Sequence, residues 1–163
     1  MPVSVYNSPL GPLQVHCSDE HITAIVFREE LPEEEINTHP LLQECIQQLD
    51  DYFSGKRKAF DLPLSQPGTA FQQKVWDLLY QIPYGKTMSY QQLAMQYGDL
   101  KAIRAVASAN GKNNLAIIIP CHRVIGSNRS LTGYAAGLWR KKWLLDHEAK
   151  HHSGVAQLGL LLG

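Results

Sequence analysis

The chain is short of cysteine. Its 163 residues hold three, Cys17, Cys45 and Cys121, far apart and with no CxxC pair. An odd, sparse count argues against a disulfide framework and fits a reducing compartment. His16, Cys17 and His21 crowd onto one expected hairpin but lack a clear fourth ligand, so neither zinc nor another metal is expected. Long apolar runs are also missing. No segment approaches the roughly 20 apolar residues of a membrane span, and the tail Leu158-Gly159-Leu160-Leu161-Leu162 is far too short. The start, Met1-Pro2-Val3-Ser4, lacks a charged region followed by an apolar stretch, so no signal peptide is expected. There is no internal repeat and no low-complexity segment.

Net charge is missing too, with 15 Lys and Arg against 15 Asp and Glu. The balance hides a segregation. Residues 1–68 carry 11 acids and 4 Lys or Arg, a net of −7, whereas residues 69–163 carry 4 acids and 11 Lys or Arg, a net of +7. A basic second half suits a polyanion partner, but charge alone leaves a merely solvated basic face equally open. The sign changes at Ser65-Gln66-Pro67-Gly68, where Pro and Gly also break structure. Two domains are therefore expected, 1–68 and 69–163.

The first domain reads as α/β, a small antiparallel sheet plus a helix. Residues 3–28 look like β structure, with runs Leu13–Cys17 and Ile22–Phe27 joined by the turn Ser18-Asp19-Glu20-His21. Glu29 to Glu35 reads as an acidic, solvated loop. Leu42, Cys45, Ile46, Leu49 and Phe53 recur at helical spacing, which predicts a helix over 39–53 stopped by Gly55. The second domain reads as mainly α. Thr69 is placed to cap a helix running to Gln81, with Phe71, Val75, Leu78, Leu79 and Ile82 on one face. Ser89 and Gln92 have capping-box spacing at the start of a short helix. Tyr97-Gly98-Asp99 forms a turn, and a further helix spans 101–110. Helix, tight turn and helix together suggest a helix-turn-helix, a pattern of low specificity by itself. Gly126 to Ser130 reads as a turn, and a last helix spans 138–150.

The chemistry concentrates in Ile119-Pro120-Cys121-His122-Arg123-Val124. A thiol held on a stiff backbone beside a possible base and cations is in a setting able to lower its pKa and expose the thiolate. A lone cysteine is otherwise most often a small buried hydrophobe. Neighbouring side chains on extended backbone point to opposite faces, so direct contact between Cys121 and His122 is not expected and a bridging water is. That geometry disfavours a cysteine hydrolase dyad.

The run IPCHRVIGSNRSLTGYAAGLWRKKWLLDHE resembles the active-site region of the O6-alkylguanine-DNA alkyltransferases, also called methylated-DNA–protein-cysteine methyltransferases. PCHRV is highly specific to that family. The resemblance extends upstream through TAFQQKVWDLLYQIPYGKTMSYQQLA and RAVASANGKNN, and touches Ser8-Pro9-Leu10-Gly11. It implies an α/β domain followed by a winged-helix-like helix-turn-helix domain. It implies irreversible, stoichiometric transfer of the alkyl group of O6-alkylguanine, and secondarily of O4-alkylthymine, in double-stranded DNA to Cys121. No cofactor and no membrane are implied, and a monomer is expected. The implied location is cytoplasmic in a bacterium or archaeon and nuclear in a eukaryote.

By the same resemblance, His122 takes the Cys121 proton through a water and Glu148 orients His122. Asn113 braces the active-site loop. Tyr90 donates to guanine N3 and helps rotate the nucleotide out, while Arg104 enters the DNA stack in its place. Ala102 and Ala105 permit close approach to the minor groove, where side chains can enter the stack. Pro120, Tyr134, Ala135 and Ala136 line the alkylguanine pocket. Two positions depart from the family pattern. Arg129 stands where glycine is common, and a turn needing positive φ there costs it about 1 kcal/mol. Ala136 stands where a second glycine is common, which narrows the pocket toward bulky adducts. Some relatives hold a structural zinc in the first domain, but Cys17 and His21 match only two of its ligands. Relatives that bind the lesions without repair lack the cysteine, and fused regulators carry further segments that this chain does not show.

Overall fold

The computed structural model describes residues 2–30, 39–153 and 161–162. The acidic loop expected over 29–35 lies outside them from residue 31, as does most of the apolar tail. The chain forms two compact units. The first comprises residues 1–67 together with 114–118, and the second 68–113 together with 119–163. The expected division at 68/69 is contiguous, whereas the units interleave.

In the first unit, strands β1 (Val3–Ser8), β2 (Gly11–Cys17) and β3 (Ile22–Phe27) form an antiparallel sheet in sequence order. Two-residue alternation decides which face is buried. Leu13, Val15 and Cys17 of β2 are all solvent-inaccessible while their neighbours are half-exposed. Helix α1 (Pro40–Phe53) begins at His39, whose ring accepts from the Leu41 N–H, and buries Leu42, Cys45, Leu49 and Tyr52. Buried Gln48 is satisfied by the Asp61 backbone, donating to its carbonyl at 3.0 Å and accepting from its N–H at 2.9 Å. Segment 114–118 joins this unit through backbone bonds from the Ile25 N–H to the Asn114 carbonyl and from the Ala116 N–H to the Ile25 carbonyl. Ile117 then adopts φ 73°, a left-handed conformation that a β-branched side chain opposes.

In the second unit, α2 (Ala70–Tyr80) and α3 (Tyr90–Tyr97) both open with complete capping boxes, Thr69 with Gln72 and Ser89 with Gln92. Gly98 ends α3 at φ 110°, where only glycine is unstrained. A tight turn over Leu100–Ala102 leads into α4 (Ile103–Gly111), so the helix expected over 101–110 is α-helical only from Ile103. Buried Val75, Trp76 and Leu79 of α2, Leu93 and Ala94 of α3, and Val106 and Ala109 of α4 supply this unit's core. The Trp76 indole donates to the Ala109 carbonyl at 2.9 Å, which satisfies both groups inside the core. Strand β4 (Met88–Ser89) pairs in parallel with β5 (Val124–Ile125), and β6 (Ser130–Leu131) with β7 (Leu161–Leu162). Helix α5 (Leu138–Ser153) runs three residues past its expected end. Among the described residues no helix is long and apolar enough to cross a membrane.

Candidate active site

Cys121 opens a single tight helical turn, Cys121–Arg123, immediately after Pro120. The expectation of extended backbone at Cys121-His122 is therefore corrected. Pro120 cannot donate a backbone bond, and its carbonyl instead accepts from the Arg123 N–H at 3.0 Å, closing the turn. The Ile119 carbonyl accepts from the Cys121 N–H at 2.8 Å and from the Asn113 side-chain amide at 2.8 Å. Asn113 thus ties the end of α4 to the residue before Pro120.

The turn sends His122 and Arg123 inward together. Both are buried, and both reach Glu148 on α5. His122 Nε2 lies 2.7 Å from Glu148 Oε2. Arg123 donates from Nε to Glu148 Oε1 at 2.8 Å and from Nη2 to Oε2 at 3.1 Å, a two-pronged fork. Its Nη1 donates to the Ile82 carbonyl at 2.6 Å. Burial pushes the Glu148 carboxyl up, but His122 and Arg123 outweigh it and hold the group well below the usual carboxylate range. Burial pushes the His122 imidazole below its ordinary value, against the pull of Glu148. Burial thus favours the neutral ring. With Nε2–H assigned to Glu148 by the hydrogen-bond pattern, buried Nδ1 carries the lone pair and has no protein partner. That is the arrangement of a base.

The thiol of Cys121 is pushed up by its burial, and the opposing effects of Asn113 and the Lys141 ammonium are smaller. This corrects the expectation of a lowered thiol pKa. Desolvation of the thiolate wins, and the resting group is a protonated thiol. Around it, Tyr90 at the first position of α3 donates its hydroxyl to the Thr132 carbonyl at 3.2 Å. Lys141 donates to the same carbonyl at 2.8 Å and is wholly buried. Gly133 has φ 67°, and a Cβ there would stand 3.3 Å from the Tyr90 hydroxyl. Burial lowers Lys141 from 10.5 to about 8. Burial raises the Tyr134 hydroxyl, with a further push from Cys121. Pro120 is buried, Ala135 is exposed, and the Ala136 carbonyl accepts from Arg140 at 2.9 Å.

Similarity to known proteins agrees with this geometry. The family model described as 6-O-methylguanine DNA methyltransferase, DNA binding domain, matches residues 70–150, and that for the ribonuclease-like domain matches residues 1–66. The constitutive methylated-DNA–protein-cysteine methyltransferase of Bacillus subtilis is 48% identical over 150 residues, covering 86% of this chain and 91% of that protein. The chain belongs to the methylated-DNA–protein-cysteine methyltransferase family. A second methyltransferase of this family, from Methanosarcina acetivorans, is 42% identical and covers 89% of this chain and 96% of its own length. Among solved structures, Mycobacterium tuberculosis OGT in complex with DNA superposes with a TM-score of 0.83 at 41% identity, covering 91% of this chain and 93% of that one.

Within this methyltransferase fold, Pro120, Cys121, His122, Glu148 and Asn113 are joined around the turn by the hydrogen bonds above, Tyr90 shares the Thr132 carbonyl with Lys141, and Tyr134, Ala135 and Ala136 follow Thr132 on the next loop. Arg104 and Ala105 are exposed and Ala102 half-exposed at the start of α4. Sequence reasoning gave no role to Lys141 and read Arg123 only as a cation beside the thiol, not as a partner of Glu148. A signal existed for Lys141. On α5, Leu138, Lys141, Leu145 and Glu148 recur at helical spacing, so the two charges occupy positions where apolar residues belong. A charge on a buried stripe needs a partner, and both have one. Arg123 carried no such signal, because its burial follows from the turn. Among the described residues no group of three or more His, Cys, Asp or Glu could hold a metal ion.

Proposed function

We propose that this chain repairs O6-alkylguanine, and secondarily O4-alkylthymine, in double-stranded DNA by irreversible alkyl transfer to Cys121. The observation that carries the reading is a buried thiol in one tight turn with an imidazole whose Nδ1 has no hydrogen-bond partner and whose Nε2 is anchored to Glu148.

A protonated resting thiol protects the protein from adventitious electrophiles. When the flipped base fills the pocket, a water passes the Cys121 proton to His122 Nδ1, and Glu148 stabilises the imidazolium. The thiolate attacks the alkyl carbon in line. The C–S bond forms as the C–O bond breaks, and the electron pair returns to the guanine, which takes a hydrogen bond or proton at N3 from Tyr90. A thioether remains, and none of the groups around Cys121 can hydrolyse it. Each protein thus acts once, as a monomer. Arg104 occupies the space left in the duplex, and Ala102 and Ala105 let α4 approach the minor groove. Tyr134, Ala135, Ala136 and Pro120 bound the pocket.

Stoichiometry tests this. Mixed with excess O6-methylguanine duplex, the protein should remove one methyl group per molecule in a single burst and then stop. Cys121→Ser should bind the lesion and remove none, because a serine hydroxyl is far less ionised and less nucleophilic. Continuing turnover by the wild type, or a burst by the serine variant, would contradict the proposal.

A further inference from the structure

Asn110 is a buried polar side chain beside Tyr90 that the chemistry above does not use. It sits in the last turn of α4, three residues before Asn113, and is 2% exposed. The backbone there is fixed. The Trp76 indole donates to the Ala109 carbonyl at 2.9 Å, and the Lys112 and Asn113 N–H groups both donate to the Asn110 carbonyl.

The two ends of the side-chain amide have different fates. One end is hydrogen-bonded to the Tyr90 hydroxyl. That hydroxyl gives its hydrogen to the Thr132 carbonyl at 3.2 Å. The Asn110 group facing it is therefore the amide N–H, which donates to the phenol oxygen. Burial raises the Tyr90 pKa, with a push from Cys121, and the bonds from Thr132 and Asn110 oppose it. The other end, Asn110 Oδ1, is buried and has no hydrogen-bond partner among the described residues. A buried acceptor left unpaired destabilises a fold, and leucine, of similar size, would not carry that penalty. Packing alone would thus replace Asn110.

We propose that Asn110 is a positioning residue for alkyl transfer, holding the Tyr90 oxygen with its amide N–H while Tyr90 serves guanine N3. It rests on the repair reading above, in which N3 draws on the Tyr90 hydrogen as the C–O bond breaks. To reach N3 that hydrogen leaves the Thr132 carbonyl, and the phenol oxygen becomes more negative. The bond from Asn110 strengthens with that charge and keeps the oxygen in place, and Asn110 retains its own hydrogen throughout. Lys141 continues to donate to the Thr132 carbonyl at 2.8 Å, which keeps that carbonyl satisfied after Tyr90 turns away.

A double-mutant cycle on the full chain tests this, read by single-turnover transfer from an O6-methylguanine duplex and by thermal unfolding. Asn110→Leu should slow transfer about tenfold, the loss of one hydrogen bond to a group gaining charge. Its melting temperature should equal or exceed that of the wild type, because leucine removes the orphaned acceptor. In a Tyr90→Phe background no hydroxyl remains to be held, so Asn110→Leu should change the rate by less than about twofold. A merely structural role would slow both backgrounds alike. Should Asn110→Leu fail to fold, Asn110→Ala carries the cycle with the same criterion. Equal losses in the two backgrounds, or a wild-type rate for Asn110→Leu, would overturn the positioning role and leave the repair reading standing. A wild type that transfers no methyl group would overturn both.

Discussion

Glu148 is the residue on which the site turns. One carboxylate serves His122 and Arg123, all three buried. Glu148→Gln keeps the shape but strands the Arg123 charge in the interior. Breaking a buried pair from one side costs about 3–5 kcal/mol, so urea unfolding should show a loss of that order, and alkyl transfer should slow with it. The folded-state pKa of Glu148 is depressed, so its contribution to stability is complete above the ordinary glutamate range. It is lost as acid protonates the carboxyl. Lys141 is shifted in the same direction for a different reason, because burial disfavours its charged form. Its pKa falls from 10.5 to about 8 on folding, so the unfolded chain holds more protons between those values. Stability of the wild type relative to Lys141→Met should therefore rise from pH 8 to 10.5, as measured by denaturant midpoints across that range. A flat difference would mean that Lys141 keeps its proton when buried.

At the scale of elements, the two capping boxes separate stability from function. Thr69→Ala should cost about 1 kcal/mol and leave the transfer rate unchanged, because α2 carries no site residue. Ser89→Ala should cost a similar amount and also slow repair of a duplex lesion, because Tyr90 is the first residue of α3. Thermal unfolding with single-turnover kinetics distinguishes the two. The Ser89–Gln92 box and the Thr69 cap were legible in the sequence, as was the stripe of Leu42, Cys45 and Leu49, because each is local or periodic. The Arg129 strain, at φ 67°, was legible too, since a turn asks for a specific backbone sign. Other features were not. The tight turn at Cys121 depends on hydrogen bonds from Asn113 to the Ile119 carbonyl and from the Arg123 N–H to the Pro120 carbonyl, which apolar periodicity does not encode. The addition of 114–118 to the first unit depends on pairing with Ile25, some ninety residues earlier in the chain. The raised thiol pKa depends on burial, which only the packed structure reveals.

The whole molecule divides its charge as it divides its labour, with a net of −7 in residues 1–68 and +7 in 69–163. The acidic part supplies a sheet and a helix with no residue of the site, while the basic part holds the thiol, the base and the helix-turn-helix. Such a distribution favours phosphate backbones over the basic part only and leaves the rest of the chain acidic. The central claim is nevertheless chemical. The chain should be incubated with an O6-methylguanine duplex and weighed intact, then digested and its peptides weighed. The account predicts a gain of about 14 Da, one methylene equivalent, on the peptide bearing Cys121, in step with the loss of methyl from the DNA. Demethylated DNA with no gain in protein mass, or a gain on Cys17 or Cys45, would contradict it.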